Sequence, residues 1–190
     1  MSKLHVVLDM DGTLIDNEGI GLYRPYLQEF IDFCFAEFAS VNIWTAASED
    51  WYDKVHENVL NTVLGEREFG FVWCGRQRLK QRTIAGTEGL FPTTVEFKDM
   101  RDLWDHYDHL TPDNTILIDD LIHTISLNTG NSIYVPTFKN RIAGPDTYLK
   151  HTMVHLNIVL GGARAGKKLS KVVLDLSKAE HSVEQTHDSE

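Results

Sequence analysis

Apolar residues recur along the chain with two different spacings, and these spacings predict alternating strands and helices. Short unbroken apolar runs predict buried strands at residues 4–8, 41–45, 114–120 and 131–136. Apolar residues three or four positions apart predict helices at 24–38, after Ser48, at 99–107 and at 146–162. Strands that alternate with helices indicate an α/β fold with a mainly parallel central sheet flanked by helices.

The stretch between residues 69 and 97 departs from this alternation. It contains the basic sequence RQRLKQR, a glycine-containing turn and the strand-like TTVEF, which together predict a small β-hairpin insert. After residue 162 the chain has a basic segment and then polar residues, so we expect a linker and a partly disordered tail at 163–190. We therefore predict a single domain over residues 1–162 that carries the insert.

The composition narrows the possible classes of function. The 190 residues carry a formal net charge of −10, which disfavours general nucleic-acid binding because such binding needs a basic surface. The two cysteines, Cys34 and Cys74, are too few for a disulfide framework or a structural zinc site. No apolar run reaches the roughly 18 residues that span a bilayer. We expect an intracellular, soluble protein without a membrane partner, and both nucleus and cytoplasm stay open.

Paired acids follow two of the predicted strands. Asp9 and Asp11 come after the first strand, and Asp119 and Asp120 end the third. Ligands of open α/β sheets bind beyond the carboxyl ends of the strands, so neighbouring strands would bring these carboxylates together there. Clustered carboxylates repel one another unless they share protons or bind a cation. Oxygen ligands without histidine or cysteine favour Mg²⁺ as that cation. Helix capping and surface charge are the simpler explanation for the paired acids.

The spacing of Asp9 and Asp11 suits phosphoryl transfer. Residues two apart in an extended segment face the same side, so both acids can address one substrate. One carboxylate can attack phosphorus while the other moves a proton, and Gly12 lets backbone amides approach a phosphate. Thr45 ends the second strand, where its hydroxyl can hold a phosphate oxygen, and the ammonium of Lys98 can neutralise charge. Taken singly, Thr45 is also an ordinary strand residue and Lys98 an ordinary surface lysine.

These positions resemble the four motifs of the haloacid dehalogenase superfamily of phosphotransferases. The sequence DMDGT at 9–13 resembles the first motif, DxDx[TV], and Thr45 after NIW resembles the second. Lys98 resembles the third motif, and LIDD at 117–120 resembles the fourth. Residues 4–160 are similar to the phosphatases of the RNA polymerase II carboxy-terminal domain, through the segments RPYLQEFI, WTAASEDW, FKDMRDLW and NTILIDD. The resemblance implies a Rossmann-like core.

The resemblance also implies a role for each motif residue. Asp9 would be the nucleophile and a Mg²⁺ ligand, and Asp11 would be the general acid and base, with its backbone carbonyl at the metal. Thr45 and Lys98 would bind the transferring phosphoryl group. The remaining implied positions are the substrate-binding Gly12 and Thr13 and the metal-binding Asp119 and Asp120. Because the fourth motif ends in Asp-Asp where the small carboxy-terminal-domain phosphatases have Asp-Asn, the acid that touches the metal directly stays open.

The spacing of the motifs leaves no room for a cap domain. One helix takes up most of residues 12–44, and only residues 99–118 separate the third motif from the fourth. A capless site is open to a phosphorylated loop or tail, so the predicted substrate is a phosphorylated protein or peptide. The resemblance suggests the RNA polymerase II carboxy-terminal domain. It also implies that Arg78 or Arg82 of the insert contacts phosphate, although a solvated basic edge strand is the simpler explanation.

Three alternatives stay open. The same chemistry can serve a nucleotide, a sugar phosphate or a nucleic-acid end. An inactive module that only binds phosphopeptides would keep the same residues. The sequence GGARAGKK at 161–168 nearly matches the nucleotide-binding loop GxxxxGK[ST], but Lys168 stands where Ser or Thr is required and a helical pattern precedes it.

Overall fold

The centre of the molecule is a parallel sheet. A computed structural model describes residues 4–16, 22–84, 91–140 and 145–187. Five strands lie in the order β3-β2-β1-β6-β7, and all neighbours are parallel: β1 (His5–Leu8), β2 (Ser40–Trp44), β3 (Val72–Trp73), β6 (Thr115–Asp119) and β7 (Ser132–Tyr134). A separate antiparallel pair consists of β4 (Lys80–Ile84) and β5 (Thr93–Phe97). The predicted parallel sheet and the predicted hairpin insert are both confirmed.

Helices connect the strands of the sheet. α1 (Leu27–Glu37) precedes β2, and α2 (Glu49–Val55) continues through a π-helical turn (His56–Leu60) into α3 (Asn61–Leu64). α4 (Arg101–His106) follows β5, and α5 (Ile122–Leu127) lies between β6 and β7. The last two helices are α6 (Tyr148–Arg164) and α7 (Leu169–His187). Over the described ranges, no helix combines the length and the apolar character that a bilayer span requires.

The strands of the sheet read as unbroken apolar runs because both faces are covered. Val6 and Leu8 of β1 belong to the larger core cluster, which also contains buried residues of α1 and α6. Val7 points to the opposite face and packs with Trp44 and Leu117 in a second cluster. Successive side chains of a strand alternate between faces, so burial on both sides removes the alternation of polar and apolar residues.

α7 occupies part of the segment that was predicted to be a linker and a tail. Leu169, Val172 and Val173 are buried and belong to the larger core cluster, so the start of this helix packs against the domain. Their helical spacing is concealed in the sequence by the polar residues between them. Residues 188–190 of the predicted tail lie outside the described ranges, and the division of the chain at residue 162 stays a prediction.

One glycine of GGARAGKK, Gly162, lies at a contact between helices. Gly161 and Gly162 lie within α6, and a Cβ on Gly162 would lie 2.6 Å from Cγ2 of Val172 in α7. A nucleotide-binding loop instead follows a strand and opens a helix. The nucleotide-loop alternative is therefore wrong, because residues 161–164 end a helix and do not follow a strand.

Candidate active site

Three aspartates meet where β1 and β6 end. The register of these neighbouring strands pairs Leu8 with Ile118, so Asp9 and Asp119 leave the sheet side by side. Oxygen atoms of Asp9, Asp119 and Asp120 all lie within 4.8 Å of one another, and all three residues are buried. The structure thus brings together three of the four acids in the two predicted pairs.

Lys98 places an ammonium group between two of these carboxylates. Its Nζ lies 2.5 Å from Oδ1 of Asp9 and 2.8 Å from Oδ2 of Asp119. The backbone of Lys98 is fixed by α5, since its N–H donates to Thr124 Oγ1 at 3.2 Å and its carbonyl accepts from Asn128 at 2.7 Å. Burial would lower the pKa of Lys98, but the charges of Asp119 and Asp9 raise it above its ordinary value. The residue is therefore a buried, charged and firmly held lysine.

One lysine leaves this group of carboxylates incompletely neutralised. Burial raises the pKa of Asp120 to about 6, and the charge of Asp9 adds to the shift. Burial also raises the pKa of Asp119, while Lys98 acts in the opposite direction. A divalent cation would relieve the repulsion in such a cluster, and a donor set made only of oxygen atoms suits Mg²⁺. Asp9, Asp119 and Asp120 therefore fit a magnesium site.

The carboxylate of Asp11 lies outside this group of three and faces the end of β2 and the start of α2. Its Oδ2 accepts a hydrogen bond from the Thr45 hydroxyl at 3.1 Å, and its Oδ1 accepts one from the indole N–H of Trp51 at 2.7 Å. Burial raises the pKa of Asp11, and the hydrogen bond from Trp51 opposes this shift. The expected contact between the Asp11 backbone carbonyl and the metal stays a prediction.

Thr45 joins Asp11 to the carboxyl edge of the sheet. It follows β2 directly, is fully buried, and donates its backbone N–H to the carbonyl of Trp73 at 2.9 Å. Its hydroxyl donates to Asp11 and accepts from the N–H of Ala47 at 3.0 Å. The predicted second-motif threonine thus lies beside the second acid of the first motif.

Gly12 and Thr13 shape the turn between the two acids of the first motif and the rest of the chain. Gly12 has a φ of +84°, and an added Cβ would lie 2.4 Å from Oδ2 of Asp120. This position therefore needs glycine both for its backbone conformation and for its contact with the fourth motif. Thr13 is fully buried and donates its hydroxyl to Oδ2 of Asp9 at 2.8 Å. Thr13 thus supports Asp9 directly, and its expected contact with substrate stays a prediction.

The two predicted phosphate-binding arginines lie on the insert. Arg78 ends a short 3₁₀ turn (Arg76–Arg78), and its guanidinium stacks 4.6 Å from the ring centre of Trp73. Arg82 is exposed on β4, opposite Val95 of β5. Among the described residues, no contact joins either arginine to the carboxylates at the end of the sheet. Their role in binding substrate therefore stays a prediction.

Sequence reasoning missed two residues that support the site. Trp51 falls at an apolar position of the helix predicted after Ser48, yet its indole nitrogen donates a hydrogen bond to Asp11. Arg24 is fully buried, and its guanidinium donates to the carbonyl oxygens of Thr13 and Pro136 and to the carboxylate of Asp146. The only sequence signals were an Arg-Pro pair before an apolar helix and a tryptophan three residues after the N-cap serine.

The fold and these side chains together define a class of protein. Acids after two adjacent parallel strands, a buried lysine that bridges two of them, and a threonine after a third strand match the order of the four motifs. The class is that of the haloacid dehalogenase phosphotransferases. Residues 4–165 match the family described as NLI interacting factor-like phosphatase, and the chain belongs to this family.

The relatives of the chain carry names of carboxy-terminal-domain (CTD) phosphatases. The chain is 31% identical over 154 residues to a ubiquitin-like domain-containing CTD phosphatase of Arabidopsis thaliana, covering 76% of this chain and 42% of that protein. It is 25% identical over 142 residues to ubiquitin-like domain-containing CTD phosphatase 1 of Homo sapiens, covering 72% and 42%. It is 28% identical over 120 residues to the putative CTD phosphatase-like protein 355R of Invertebrate iridescent virus 3, covering 60% and 59%.

The chain matches only part of the length of each similar protein. The chain spans about two fifths of the length of two of these curated relatives: the matches cover 42% of each of the two ubiquitin-like domain-containing proteins. The solved structure of Fcp1, described as an essential RNA polymerase II CTD phosphatase, is similar with a TM-score of 0.48 at 15% identity. That similarity covers 90% of this chain and 52% of the other.

Proposed function

We propose that this protein is a Mg²⁺-dependent phosphomonoester hydrolase that acts on phosphoserine or phosphothreonine of a protein through an aspartyl-phosphate intermediate. The observation that carries the proposal is the bridge of Lys98 between Asp9 and Asp119, next to Asp120, at the carboxyl edge of the sheet. A buried carboxylate held by a lysine and a threonine is oriented for attack on phosphorus. Family membership supports a phosphatase activity.

In the first step, a carboxylate oxygen of Asp9 forms a bond to phosphorus while the bond between phosphorus and the ester oxygen breaks. Asp11 gives a proton to the departing ester oxygen. Lys98 and Thr45 stabilise the negative charge of the transferring phosphoryl group. In the second step, Asp11 takes a proton from water as the water oxygen attacks phosphorus, which releases inorganic phosphate and regenerates the carboxylate of Asp9.

The metal would be held by the side chains of Asp9, Asp119 and Asp120, with the backbone carbonyl of Asp11 as a further ligand. When bound, Mg²⁺ supplies positive charge that offsets the carboxylates and the phosphoryl oxygens. The choice of Mg²⁺ rests on the all-oxygen donor set and on the raised pKa values of Asp119 and Asp120.

The proposed substrate is a phosphorylated protein segment, because no cap domain is expected over the site. Names of the relatives suggest the RNA polymerase II CTD as one such substrate. Arg82 is the preferred insert residue for binding the substrate. Lys80 pairs with Asp99 and Asp102, and Arg76 pairs with Glu96, whereas within the described ranges Arg82 has no such partner.

A substrate panel with three variants tests the proposal. The purified protein with Mg²⁺ should hydrolyse 4-nitrophenyl phosphate and a phosphoserine peptide, and Asp9→Asn or excess EDTA should abolish both reactions. Asp11→Asn should retain the first step with 4-nitrophenyl phosphate, because 4-nitrophenolate leaves without a proton. This variant should therefore accumulate a phosphoryl adduct that mass spectrometry locates on the Asp9 peptide after acid quenching.

Three results would contradict parts of the proposal. An adduct on another residue would remove Asp9 as the nucleophile. Turnover of nucleotides with no turnover of phosphopeptides would remove the protein substrate. Binding of phosphopeptides without hydrolysis of any ester would identify an inactive recognition module. The Lys54→Met variant is a suitable activity control, because Lys54 is exposed on α2.

A further inference from the structure

The indole N–H of Trp51 fixes one oxygen of the Asp11 carboxylate. The nitrogen lies 2.7 Å from Oδ1, which is a short charge-assisted hydrogen bond. An indole N–H is a donor only, so Trp51 can never accept a proton from Asp11. Oδ1 is therefore committed as an acceptor as long as this contact lasts.

The other oxygen of Asp11 has a different kind of neighbour. Oδ2 accepts from the hydroxyl of Thr45 at 3.1 Å, and that hydroxyl also accepts from the N–H of Ala47 at 3.0 Å. A hydroxyl rotates and can either donate or accept, so this contact adapts to whatever Oδ2 carries. The two oxygens of Asp11 thus differ, because one is locked by a donor and the other faces a partner that can adjust.

The position of Trp51 follows from the start of α2. Ser48 is the N-cap of this helix, and its Oγ accepts the backbone N–H of Trp51 at 3.3 Å. Trp51 therefore lies in the first helical turn, and a helical side chain leans back toward the N-terminus of its helix. The N-terminus of α2 follows Thr45, so a side chain directed toward that end brings the indole to the carboxyl edge of the sheet.

We propose that Trp51 is a positioning residue that orients the Asp11 carboxylate, with Oδ1 held by the indole and Oδ2 left to face the leaving group. The inference rests on the proposed function, since it assigns Asp11 the part of general acid. Trp51 would act only through Asp11 and would touch neither the substrate nor the metal. Its loss should therefore weaken proton transfer by Asp11 and spare a first step whose leaving group needs no proton.

Two substrates with different leaving groups separate this role from a structural one. Trp51→Phe keeps an aromatic ring and removes the donor. It should lower kcat for a phosphoserine peptide roughly tenfold or more, because the alkoxide leaving group needs a proton. For 4-nitrophenyl phosphate, kcat should change less than about twofold when the first step limits the rate. Trp51→His keeps a ring N–H. Its ratio of kcat for the peptide to kcat for 4-nitrophenyl phosphate should lie between the ratios of Trp51→Phe and the wild type.

Trp104→Phe is the matched control. The indole nitrogen of Trp104 is buried without a hydrogen-bond partner among the described residues, and its ring packs in the second core cluster on α4. The control removes the same N–H from a place where it serves no acceptor, so the ratio of the two kcat values should stay at the wild-type value. Thermal unfolding of both variants checks that each is folded.

The Asp11→Asn background provides a second measurement. If Trp51 acts only through Asp11, adding Trp51→Phe to Asp11→Asn should cause no further loss on the peptide. In an active wild type whose first step limits both rates, equal slowing of both substrates by Trp51→Phe would overturn this inference alone. A further loss in the Asp11→Asn background as large as in the wild type would do the same. A wild type that hydrolyses neither substrate would overturn the proposed function and this inference together.

Discussion

Replacing Lys98 by methionine tests whether the contribution of this lysine to folding stability depends on its burial among the carboxylates. In the described ranges, two lysines each bridge two carboxylates at similar distances. Nζ of Lys98 lies 2.5 and 2.8 Å from Asp9 and Asp119, and Nζ of Lys80 lies 2.8 and 2.7 Å from Asp99 and Asp102. The side chain of Lys98 is 1% exposed, whereas that of Lys80 is 44% exposed. Lys80→Met is therefore a control with nearly the same geometry in water.

The expected loss of stability differs several-fold between the two variants. Removing one partner of a buried ion pair costs about 3–5 kcal/mol, because the remaining charge is buried without compensation. An exposed pair contributes about 0–1 kcal/mol. Asp99 also keeps its ion pair with Arg101 when Lys80 is removed, which further limits the loss of stability in Lys80→Met. The free energy of unfolding of a domain of this size is roughly 5–15 kcal/mol, so Lys98→Met should remove a large part of its stability.

Urea unfolding with excess EDTA measures both losses on one scale. The midpoint for Lys98→Met should fall far below that for Lys80→Met at the same slope. Equal midpoints for the two variants would show that the buried carboxylates do not depend on Lys98, and the argument from burial would then be wrong. Replacing Asp119 by asparagine in the Lys98→Met protein should restore part of the lost stability, since it removes one uncompensated charge.

Magnesium should stabilise Lys98→Met more than the wild type. The lysine and a divalent cation offset the same carboxylates, so removing the lysine increases the favourable interaction of the cation with Asp9 and Asp119. The measurement is the shift of the urea midpoint between EDTA and millimolar MgCl₂, with KCl at equal ionic strength as the control. No shift in either protein would contradict the assignment of Asp9, Asp119 and Asp120 as a magnesium site.

Three further substitutions test the surroundings of the site. Gly12→Ala should cost about 1–3 kcal/mol from its backbone conformation alone and more from the contact with Asp120. Thermal unfolding should therefore show a larger loss than for Gly65→Ala, whose Cβ would meet open space, and equal losses would contradict the contact. Arg24→Lys should cost roughly 2 kcal/mol in urea unfolding, because lysine lacks the planar fork that bonds two carbonyls and a carboxylate; an unchanged midpoint would refute this. Arg82→Ala should raise KM for a phosphopeptide roughly two- to fivefold at low salt, whereas the paired Arg76→Ala should raise it less.

The sequence predicts the sheet well because its strands are buried on both faces. The run from Val6 to Leu8 has no polar interruption, and such a run bounded by acids is typical of a central parallel strand. Acids after two such strands predicted a meeting point, and the register of β1 and β6 provides it. The approach of Lys98 to these acids was not visible in composition or periodicity, because a lone lysine after a strand is usually solvated.

Other parts of the site depend on contacts between distant segments, which a sequence pattern does not reveal. The indole of Trp51 is apolar by periodicity, and only the folded chain shows that its nitrogen meets Asp11, 40 positions away. Arg24 meets Asp146 across 122 positions. The start of α7 was hidden for another reason: the few apolar residues at 169–173 suffice to dock a helix on a formed core, although they are too sparse to predict one.

The hairpin of β4 and β5 is largely exposed. Every residue of β4 is exposed, and β5 becomes buried only at Phe97, directly before Lys98. The base of the hairpin is anchored by Lys80, which pairs with Asp99 beside Lys98. Because the outer part of β4 contributes nothing to either core cluster, its side chains can change with little effect on the buried carboxylates. We therefore expect sequence differences between this protein and its relatives to be more frequent in the hairpin than among the acids at the end of the sheet.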